Sequence, residues 1–483
     1  MKLFSLTICF VCFNFACGEE INLYGDSGQA YSVEANLGHP YQKLKLLVDT
    51  GSTTLAIASY ARQNSNEYFH PEESNSIKDY EKSVQAEYSQ GMWSGRLVSD
   101  FIQFPLLSPT EEVRTDIALI TQSHKFFMNG SGWQGLLGLA YRPVGAWGDG
   151  VVVESWLDSV ERTLKKQIAF NLKLCGPIST TNTTHYGYFN MLYNAEHKNR
   201  NKIFRTPILR KRWYEVGVIS IRVMNPVNST NDSHDVEDKV LIPNEDMCLK
   251  LNAEKSIVDS GTTNIRLPDN LYRQVVDELK NVYRNSQVLI LDEFWYQGEA
   301  ACWPEPQVWT LPWIAIDLLS VDADNQYFTL EIPPQNYMRV VGVYNSSDKR
   351  GTVSEFCYKL GLEAGGTETV LGYTAMEGLE VLFNRSAGWI GWQASDCGSN
   401  ARVTGPYNVT TSLKSTCQLT RPTSQVAISI RAAQWALCAI SMIAAAVLVY
   451  LLFPCVKTFF VRRLPSSQQI SLSQAALVEQ ENA

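Results

Sequence analysis

The chain has 483 residues, more than one ordinary hydrophobic core holds, so we expect two or three folding units. Hydrophobic residues make up 45% and charged residues 19%, a composition that excludes disorder throughout the chain. The formal net charge is -8 and no basic stretch stands out, so we expect no nucleic-acid partner. The histidines are scattered and no zinc-binding motif is present, so we expect no metal and no cofactor.

Residues 1–18 are predicted to be a secretory signal peptide. Lys2 supplies the positive charge, an apolar run extends from Leu3 to Phe15, and small residues follow up to Gly18. A signal anchor is the alternative, but the run is short for a membrane span. Residues 19–30 form a short N-terminal segment, so we expect any pro-segment to be very short.

The body of the chain is predicted to be mostly β, in two similar lobes that comprise residues 31–190 and 191–400. Short β-rich runs alternate with Gly, Asn, Asp and Pro. Helical periodicity is brief and is clearest over Glu154–Leu164 and Asn270–Tyr283.

A repeated pair of motifs is the reason for predicting two lobes. An apolar run leads into Asp49–Ser52, and a second apolar run leads into Asp259–Thr262. Each is followed later by two apolar residues and a glycine, at Leu136–Gly138 and Val370–Gly372. A single Asp-Thr-Gly string is more often an ordinary turn. Two in register, each behind an apolar strand, indicate two lobes that each supply one acid.

The two acids, Asp49 and Asp259, suit hydrolysis without a metal or a covalent intermediate. Gly51 and Gly261 would permit tight turns and close backbone approach. Carboxylates a few ångströms apart do not both ionise readily, so they share one proton. The ionised acid would take a proton from an attacking water, and the protonated acid would donate one to the carbonyl oxygen. Because the pair titrates as a unit, neither role is assigned to one residue, and activity should favour acidic pH.

A second apolar stretch, residues 432–456, is predicted to be a transmembrane helix. It contains no charged residue, and at about 1.5 Å per residue it can cross a hydrocarbon core of roughly 30 Å. Lys457, Arg462 and Arg463 follow it, which predicts a cytoplasmic tail over residues 457–483. A buried helix of a soluble protein is the alternative.

The expected topology is that of a single-pass type I membrane protein. The polar residues 401–431 are interpreted as a luminal stem. We expect the protein in the secretory pathway, the Golgi, endosomes or the plasma membrane, with the lipid bilayer as a partner through its one span.

Cysteines and glycosylation sequons agree with a secretory route. Six cysteines lie outside the signal and the span, which predicts three disulfides among fifteen possible pairings. The predicted glycosylation sites are seven Asn-x-Ser/Thr sequons: Asn129, Asn182, Asn228, Asn231, Asn345, Asn384 and Asn408.

Both motif pairs resemble those of the pepsin family of aspartic proteases, over roughly residues 30–400. Within that family, Lys125–Tyr141 and Ser256–Pro268 are similar to the membrane-anchored beta-secretase group, and Glu87–Gly95 is similar to its flap hairpin. The resemblance implies a bilobal pepsin-like fold and an aspartic endopeptidase of polypeptide substrates. With the anchor, it suggests type I membrane proteins as substrates and ectodomain shedding as the role.

The resemblance also implies roles for individual residues. Thr50 and Ser260 would brace the two catalytic turns against each other, and Ser52 and Thr262 would hydrogen-bond the outer carboxylate oxygens. Tyr88 would close over the substrate with its hydroxyl facing Trp93. Further substrate-binding residues would be Gln90 and Gly91 in the flap, Trp133 in an apolar subsite, and Arg266, which would favour polar or acidic side chains. The implied disulfides are Cys175–Cys397, Cys248–Cys417 and Cys302–Cys357.

Two alternatives remain open from the residues. A catalytically inactive relative would bind peptides in the same cleft, although both acids and both glycines are present here. A digestive protease of the cathepsin D type would share the chemistry but would lack the predicted span.

Overall fold

The computed structural model describes fifteen stretches of the chain, and these carry every structural statement below. They are residues 21–26, 29–62, 67–89, 91–105, 112–127, 131–141, 148, 152–177, 183–192, 203–224, 245–283, 290–303, 311–348, 351–420 and 425–461. The predicted signal peptide, Gln90 and the sequons at Asn129, Asn182, Asn228 and Asn231 lie outside the described residues.

The chain divides into two compact units, one up to Thr420 and one from Arg421 onward. The first unit is mostly β, as predicted, and the described part of the second is a single long helix. The strands of the first unit, in chain order, are β1 (Ile21–Asp26), β2 (Gln29–Leu37), β3 (Gln42–Asp49), β4 (Leu55–Ala58), β5 (Lys78–Tyr88), β6 (Gly91–Gln103), β7 (Val113–His124), β8 (Gly135–Gly138), β9 (Ala169–Pro177), β10 (Thr184–Leu192), β11 (Phe204–Pro207), β12 (Val218–Met224), β13 (Ser256–Val258), β14 (Ile265–Leu267), β15 (Ala301–Trp303), β16 (Trp313–Leu319), β17 (Gln326–Ile332), β18 (Met338–Asp348), β19 (Gly351–Leu360), β20 (Leu362–Ala364), β21 (Thr369–Leu371), β22 (Leu379–Asn384), β23 (Trp389–Ala394) and β24 (Arg402–Asn408).

Helices are few and mostly short in the first unit. They are α1 (Trp156–Leu164), α2 (Glu245–Leu251), α3 (Asp269–Tyr283), α4 (Asp292–Gln297), α5 (Pro334–Tyr337) and α6 (Leu413–Thr416), and α7 (Gln425–Val461) forms the second unit. The two helices predicted from periodicity are α1 and α3. Helix α1 begins two residues later than predicted because Ser155 caps it, its hydroxyl accepting a hydrogen bond from the Asp158 N–H at 3.1 Å.

One large sheet joins the two halves of the first unit. Its thirteen strands run in the order β11-β23-β22-β9-β10-β1-β2-β3-β8-β4-β7-β6-β5. Strand β22, near the C-terminal end of the unit, pairs with β9, with Leu379 opposite Leu174. The predicted boundary between residues 190 and 191 falls inside β10, so the two predicted lobes share this sheet.

The repeated motifs occupy equivalent positions in two different sheets. In the large sheet, β3 pairs in parallel with β8, and β3 ends at Asp49. In a sheet of order β13-β21-β14-β20, β13 pairs in parallel with β21 and ends one residue before Asp259. Strands β3 and β8 are almost wholly buried at their C-terminal ends, which explains their continuous apolar sequences.

Three disulfides connect distant parts of the first unit. They are Cys175–Cys397, Cys248–Cys417 and Cys302–Cys357, the pairs that the resemblance implied, with sequence separations of 222, 169 and 55 residues. Closing loops this long removes conformational freedom from the unfolded chain and so stabilises the fold.

The predicted stem needs correction in its first half. Residues 401–420 belong to the compact unit: β24 pairs with β17 at the edge of the sheet β12-β16-β17-β24, and Leu413 and Cys417 pack in a small buried cluster. The folded unit therefore extends to Thr420. The polar sequence of β24 was misleading because an edge strand buries little of its surface, and most of β24 is exposed or half-buried.

Candidate active site

The two turns that follow β3 and β13 bring their carboxylates face to face. A Cβ atom built on Gly51 would lie 2.6 Å from the carboxylate atoms of Asp259. A Cβ atom built on Gly261 would lie 2.5 Å from Oδ1 of Asp49. Each glycine therefore leaves room for the acid of the other turn, and only a residue without a side chain permits this approach.

Each carboxylate is held by the same two kinds of donor from its own turn. The Gly51 N–H donates to Oδ1 of Asp49 at 2.8 Å, and the Ser52 hydroxyl donates to Oδ2. The Gly261 N–H donates to Oδ1 of Asp259 at 2.9 Å, and the Thr262 hydroxyl donates to Oδ2 at 2.6 Å. These are the contacts expected of Ser52 and Thr262, and they fix the orientation of both acids.

A reciprocal network behind the acids connects the two turns. The Ser260 N–H donates to Oγ1 of Thr50 at 2.9 Å, and the Thr50 N–H donates to Oγ of Ser260 at 3.1 Å. The Thr50 hydroxyl also donates to the Val258 carbonyl at 3.0 Å, and the Ser260 hydroxyl donates to the Val48 carbonyl at 2.7 Å. Thr50 and Ser260 are almost wholly buried, so this network sets the separation of the two turns in the way the resemblance implied.

Burial raises the pKa of Asp49 well above its usual range, and the negative charge and side-chain hydrogen bond of Asp259 raise it further. The hydrogen bonds from Ser52 and Gly51 favour the ionised form and oppose this shift. Proton sharing between the two acids follows from this arrangement, because a carboxyl that resists ionisation lies beside a second carboxylate.

The hairpin of β5 and β6 places Tyr88 beside the Asp49 turn. Tyr88 lies opposite Gly91 at the end of the hairpin, and the Trp93 indole N–H donates to its hydroxyl at 3.4 Å. Burial raises the pKa of Tyr88 above its usual range, and the negative charge of Asp49 raises it further, so the phenol stays protonated. Ser52 is also within hydrogen-bonding reach of this phenol. The Tyr88 hydroxyl is therefore close to the Asp49 turn.

The two other predicted cleft residues that the structure describes occupy different environments. Trp133 is buried, 5% exposed, and its ring lies 5.0 Å from that of Phe127 and 5.7 Å from that of Phe126, between their centroids. Tyr88 also contacts Phe126, with 5.3 Å between ring centroids, so Trp133 belongs to the apolar cluster beneath the hairpin. Arg266 is not free: its Nε donates to Glu363.

Sequence reasoning missed three polar residues beside Arg266. Ser89 accepts a hydrogen bond from Nη1 of Arg266 at 3.1 Å, and Asn264 donates to Oε2 of Glu363 at 2.7 Å. No signal in the sequence links Glu363 to Arg266, which lies 97 residues earlier, because their contact depends on the pairing of β14 with β20.

Three predicted glycosylation sites lie in described strands. The side chain of Asn384 is buried, 3% exposed, and its oxygen accepts hydrogen bonds from Ser386 and Ala387. A glycan does not fit this position in the folded unit, so the prediction for Asn384 needs correction. Asn408 is exposed at the end of β24, and Asn345 lies in β18.

Comparison with known proteins assigns the class. The family of eukaryotic aspartyl proteases matches residues 30–394, and the chain belongs to that family. It is an aspartic endopeptidase, as the paired acids indicate.

Individual relatives refine this assignment. The chain is 31% identical to a beta-secretase of Strongylocentrotus purpuratus over 409 residues, which cover 80% of this chain and 70% of that protein. It is 27% identical to pregnancy-associated glycoprotein 2 of Sus scrofa over 129 residues, 26% of this chain and 30% of that protein. The chain is thus a beta-secretase-like member of the pepsin family.

Helix α7 agrees with this likeness. Its stretch Gln434–Phe453 has a mean hydropathy of 2.6 and, by length and composition, can cross a membrane. Together with the similarity to beta-secretase, it indicates a single-pass membrane protein.

Proposed function

We propose that Asp49 and Asp259 are the catalytic pair and that this protease removes the ectodomains of single-pass membrane proteins. The observation that carries the first part is the mutual approach of the two carboxylates across Gly51 and Gly261. The second part rests on the apolar stretch in α7 and on the similarity to a beta-secretase.

The chemistry follows from the site. One carboxyl of the pair stays protonated because Asp49 is buried beside Asp259. The ionised partner takes a proton from water, which attacks the peptide carbonyl, and the protonated partner donates to the carbonyl oxygen. Proton transfer to the nitrogen then releases the two peptide fragments. The Tyr88 phenol, protonated and close to the Asp49 turn, would cover the substrate.

Asparagine substitutions test the catalytic pair. Asp49→Asn and Asp259→Asn should each lower kcat/KM by about 10³-fold or more, because an amide neither accepts nor donates the required proton. Circular dichroism and thermal unfolding should show that both variants stay folded. Either variant cleaving peptides at the wild-type rate would refute the assignment.

Removal of the anchor tests the shedding role. The apolar stretch would hold the cleft near the outer membrane face and raise the effective concentration of membrane-bound substrates. The proposed location is the secretory pathway, the Golgi, endosomes or the plasma membrane. The residues after the span would lie in the cytosol, because Lys457 follows the span directly.

A chain ending at Thr420 retains the whole first unit. It should cleave soluble peptides at the full-length rate but cleave a single-pass substrate in the same membrane much more slowly. Equal loss on both substrates, or no loss on either, would refute the shedding role.

A further inference from the structure

An ion pair lies beside the tip of the hairpin that carries Tyr88. Arg266 on β14 donates from Nε to Oε1 of Glu363 on β20, and the two residues are opposite each other in the parallel pairing of these strands. Nη1 of the same arginine donates to the Ser89 hydroxyl at 3.1 Å. Ser89 follows Tyr88 directly, so the ion pair lies where a peptide under the hairpin would pass.

Both oxygens of Glu363 are engaged by side chains of the strand that carries Arg266. Oε1 accepts from Arg266, and Oε2 accepts from Nδ2 of Asn264 at 2.7 Å. The side chains of Arg266 and Glu363 are 15% and 31% exposed. The carboxylate is therefore fixed against the guanidinium in a setting where water screens the pair incompletely.

The ion pair changes what Arg266 offers a substrate. A lone arginine in a cleft attracts polar or acidic side chains, which is the expectation drawn from the resemblance, and its charge favours the acidic ones. With Glu363 in contact, the net charge of the pair is zero, and an incoming carboxylate meets a negative charge beside the positive one. The remaining guanidinium N–H groups can still donate hydrogen bonds to neutral acceptors.

We propose that Glu363 is a specificity-determining residue that makes this subsite neutral, so that the protease accepts amide or hydroxyl side chains there and does not favour acidic ones. This proposal rests on the proposed proteolytic use of the cleft. The discrimination arises from charge, because the Glu363 carboxylate repels a carboxylate on the substrate.

Matched peptides test the proposal. A peptide cut by the full-length protein is resynthesised with Asp or Asn at each position from four residues before to four residues after the bond. Cleavage is measured at about pH 5.5, where an ordinary aspartate is ionised. The wild type should show no preference for Asp at any position. Glu363→Gln should raise the Asp-to-Asn ratio of kcat/KM by about tenfold at one position, the effect expected of one charge at a partly exposed site.

A second substitution and a control identify the cause. In the double variant Glu363→Gln, Arg266→Gln the gain for Asp should disappear, because the uncovered positive charge is gone. Glu368→Gln is the matched control: Glu368 pairs with Lys255 at 2.9 Å and is 32% exposed, close to the exposure of Glu363. It should leave the ratio unchanged at every position.

Several results would overturn the proposal. They are a wild-type preference for Asp, an unchanged ratio in Glu363→Gln, and a gain that persists without Arg266. If Glu363→Gln does not fold, Glu363→Ser replaces it, and failure of both to fold would mean that the pair is only structural. If the wild type cuts no peptide at any pH, the proposed proteolytic function is refuted on its own. The role of Glu363 is then tested by binding: Glu363→Gln should raise the ratio of the affinities for the Asp and Asn peptides by about tenfold.

Discussion

The turns at Asp49 and Asp259 have nearly the same internal hydrogen bonds but different surroundings. In each turn a glycine N–H and a hydroxyl hold the carboxylate. Asp49 and Ser52 are buried, whereas Asp259 and Thr262 are half-buried. The first turn lies in a sheet of thirteen strands next to the hairpin that carries Tyr88, and the second lies in a sheet of four.

This difference shows which features the local sequence determines and which come from the rest of the chain. A four-residue motif fixes the donors around each acid because they come from its own turn. Burial depends on the strands and hairpin that pack around it. A repeat that is symmetric in its hydrogen bonds is therefore asymmetric in its burial, and burial makes Asp49 resist ionisation by raising its pKa.

Of the predictions that test this comparison, the largest effect concerns the feature that the two turns share, the glycine that follows each acid. Gly51→Ala and Gly261→Ala should each lower kcat/KM by roughly a hundredfold or more, because the new methyl group would displace the carboxylate of the opposite turn. Gly342→Ala is the control, since a Cβ there meets no atom within 4 Å. Steady-state kinetics on one peptide checks this, and wild-type activity in Gly51→Ala would contradict the close approach of the acids.

The next prediction concerns the hairpin, which covers only one of the turns. Tyr88→Phe should lower kcat/KM by about tenfold, because the ring stays on Phe126 while the hydroxyl contacts with Trp93 and Ser52 are lost. Tyr80→Phe on the same hairpin should have little effect, since Tyr80 is exposed and bonds Asp116 away from the acids. Equal losses in the two variants would mean that the hydroxyl near Asp49 has no special role.

A double-mutant cycle tests the network that joins the turns. Thr50→Val and Ser260→Ala should each lower the free energy of unfolding by about 1–3 kcal/mol, because buried partners lose their hydrogen bonds. The double variant should lose less than the sum, since both changes disrupt the same network. Denaturant unfolding of the first unit measures this. Strictly additive losses would show that the two hydroxyls act independently.

The smallest effect concerns the burial of Asp49, which distinguishes the two turns, and it is measured as the pH dependence of stability. Because the pKa of Asp49 is raised in the folded state, the folded protein keeps a proton that the unfolded chain has lost. This contribution is fully present below the unfolded pKa of about 3.9 and is lost as pH rises through the folded pKa, with a slope of at most about 1.4 kcal/mol per pH unit. The melting temperature should fall over that range in the wild type and fall less in Asp49→Asn. Identical profiles would contradict a raised pKa.

The two turns that carry Asp49 and Asp259 were predictable from the sequence because their hydrogen bonds are local. Asp49 and Asp259 each follow an apolar strand, and glycine and hydroxyl residues stand at fixed spacing behind them. The mostly β architecture also followed from the alternation of short apolar runs with turn residues. The positions of Tyr88 and Trp93 required the resemblance, since a tyrosine and a tryptophan on a hairpin are common.

The features that were missed depend on contacts between distant strands. Glu363 meets Arg266 only because β20 pairs with β14, and the intervening residues contain no sign of that register. Residues 401–420 were predicted to be part of a polar stem because β24 is an edge strand and its composition resembles that of a loop. The pattern of polar and apolar residues indicates how far a segment is exposed to water. Edge strands and loops are both largely exposed, so this pattern does not distinguish them.

The shared sheet has a consequence for how the protein is synthesised. Strand β9 pairs with β22, which lies near the C-terminal end of the unit and is synthesised later. Cys175 likewise forms its disulfide with Cys397, which lies 222 residues further along the chain. At a translation rate of 5–20 residues per second, roughly 10–40 seconds pass between the emergence of these two cysteines. During that interval one edge of β9 is open to pairing with another nascent chain. We therefore expect productive biosynthesis to depend on chaperones that protect this edge until the C-terminal strands arrive.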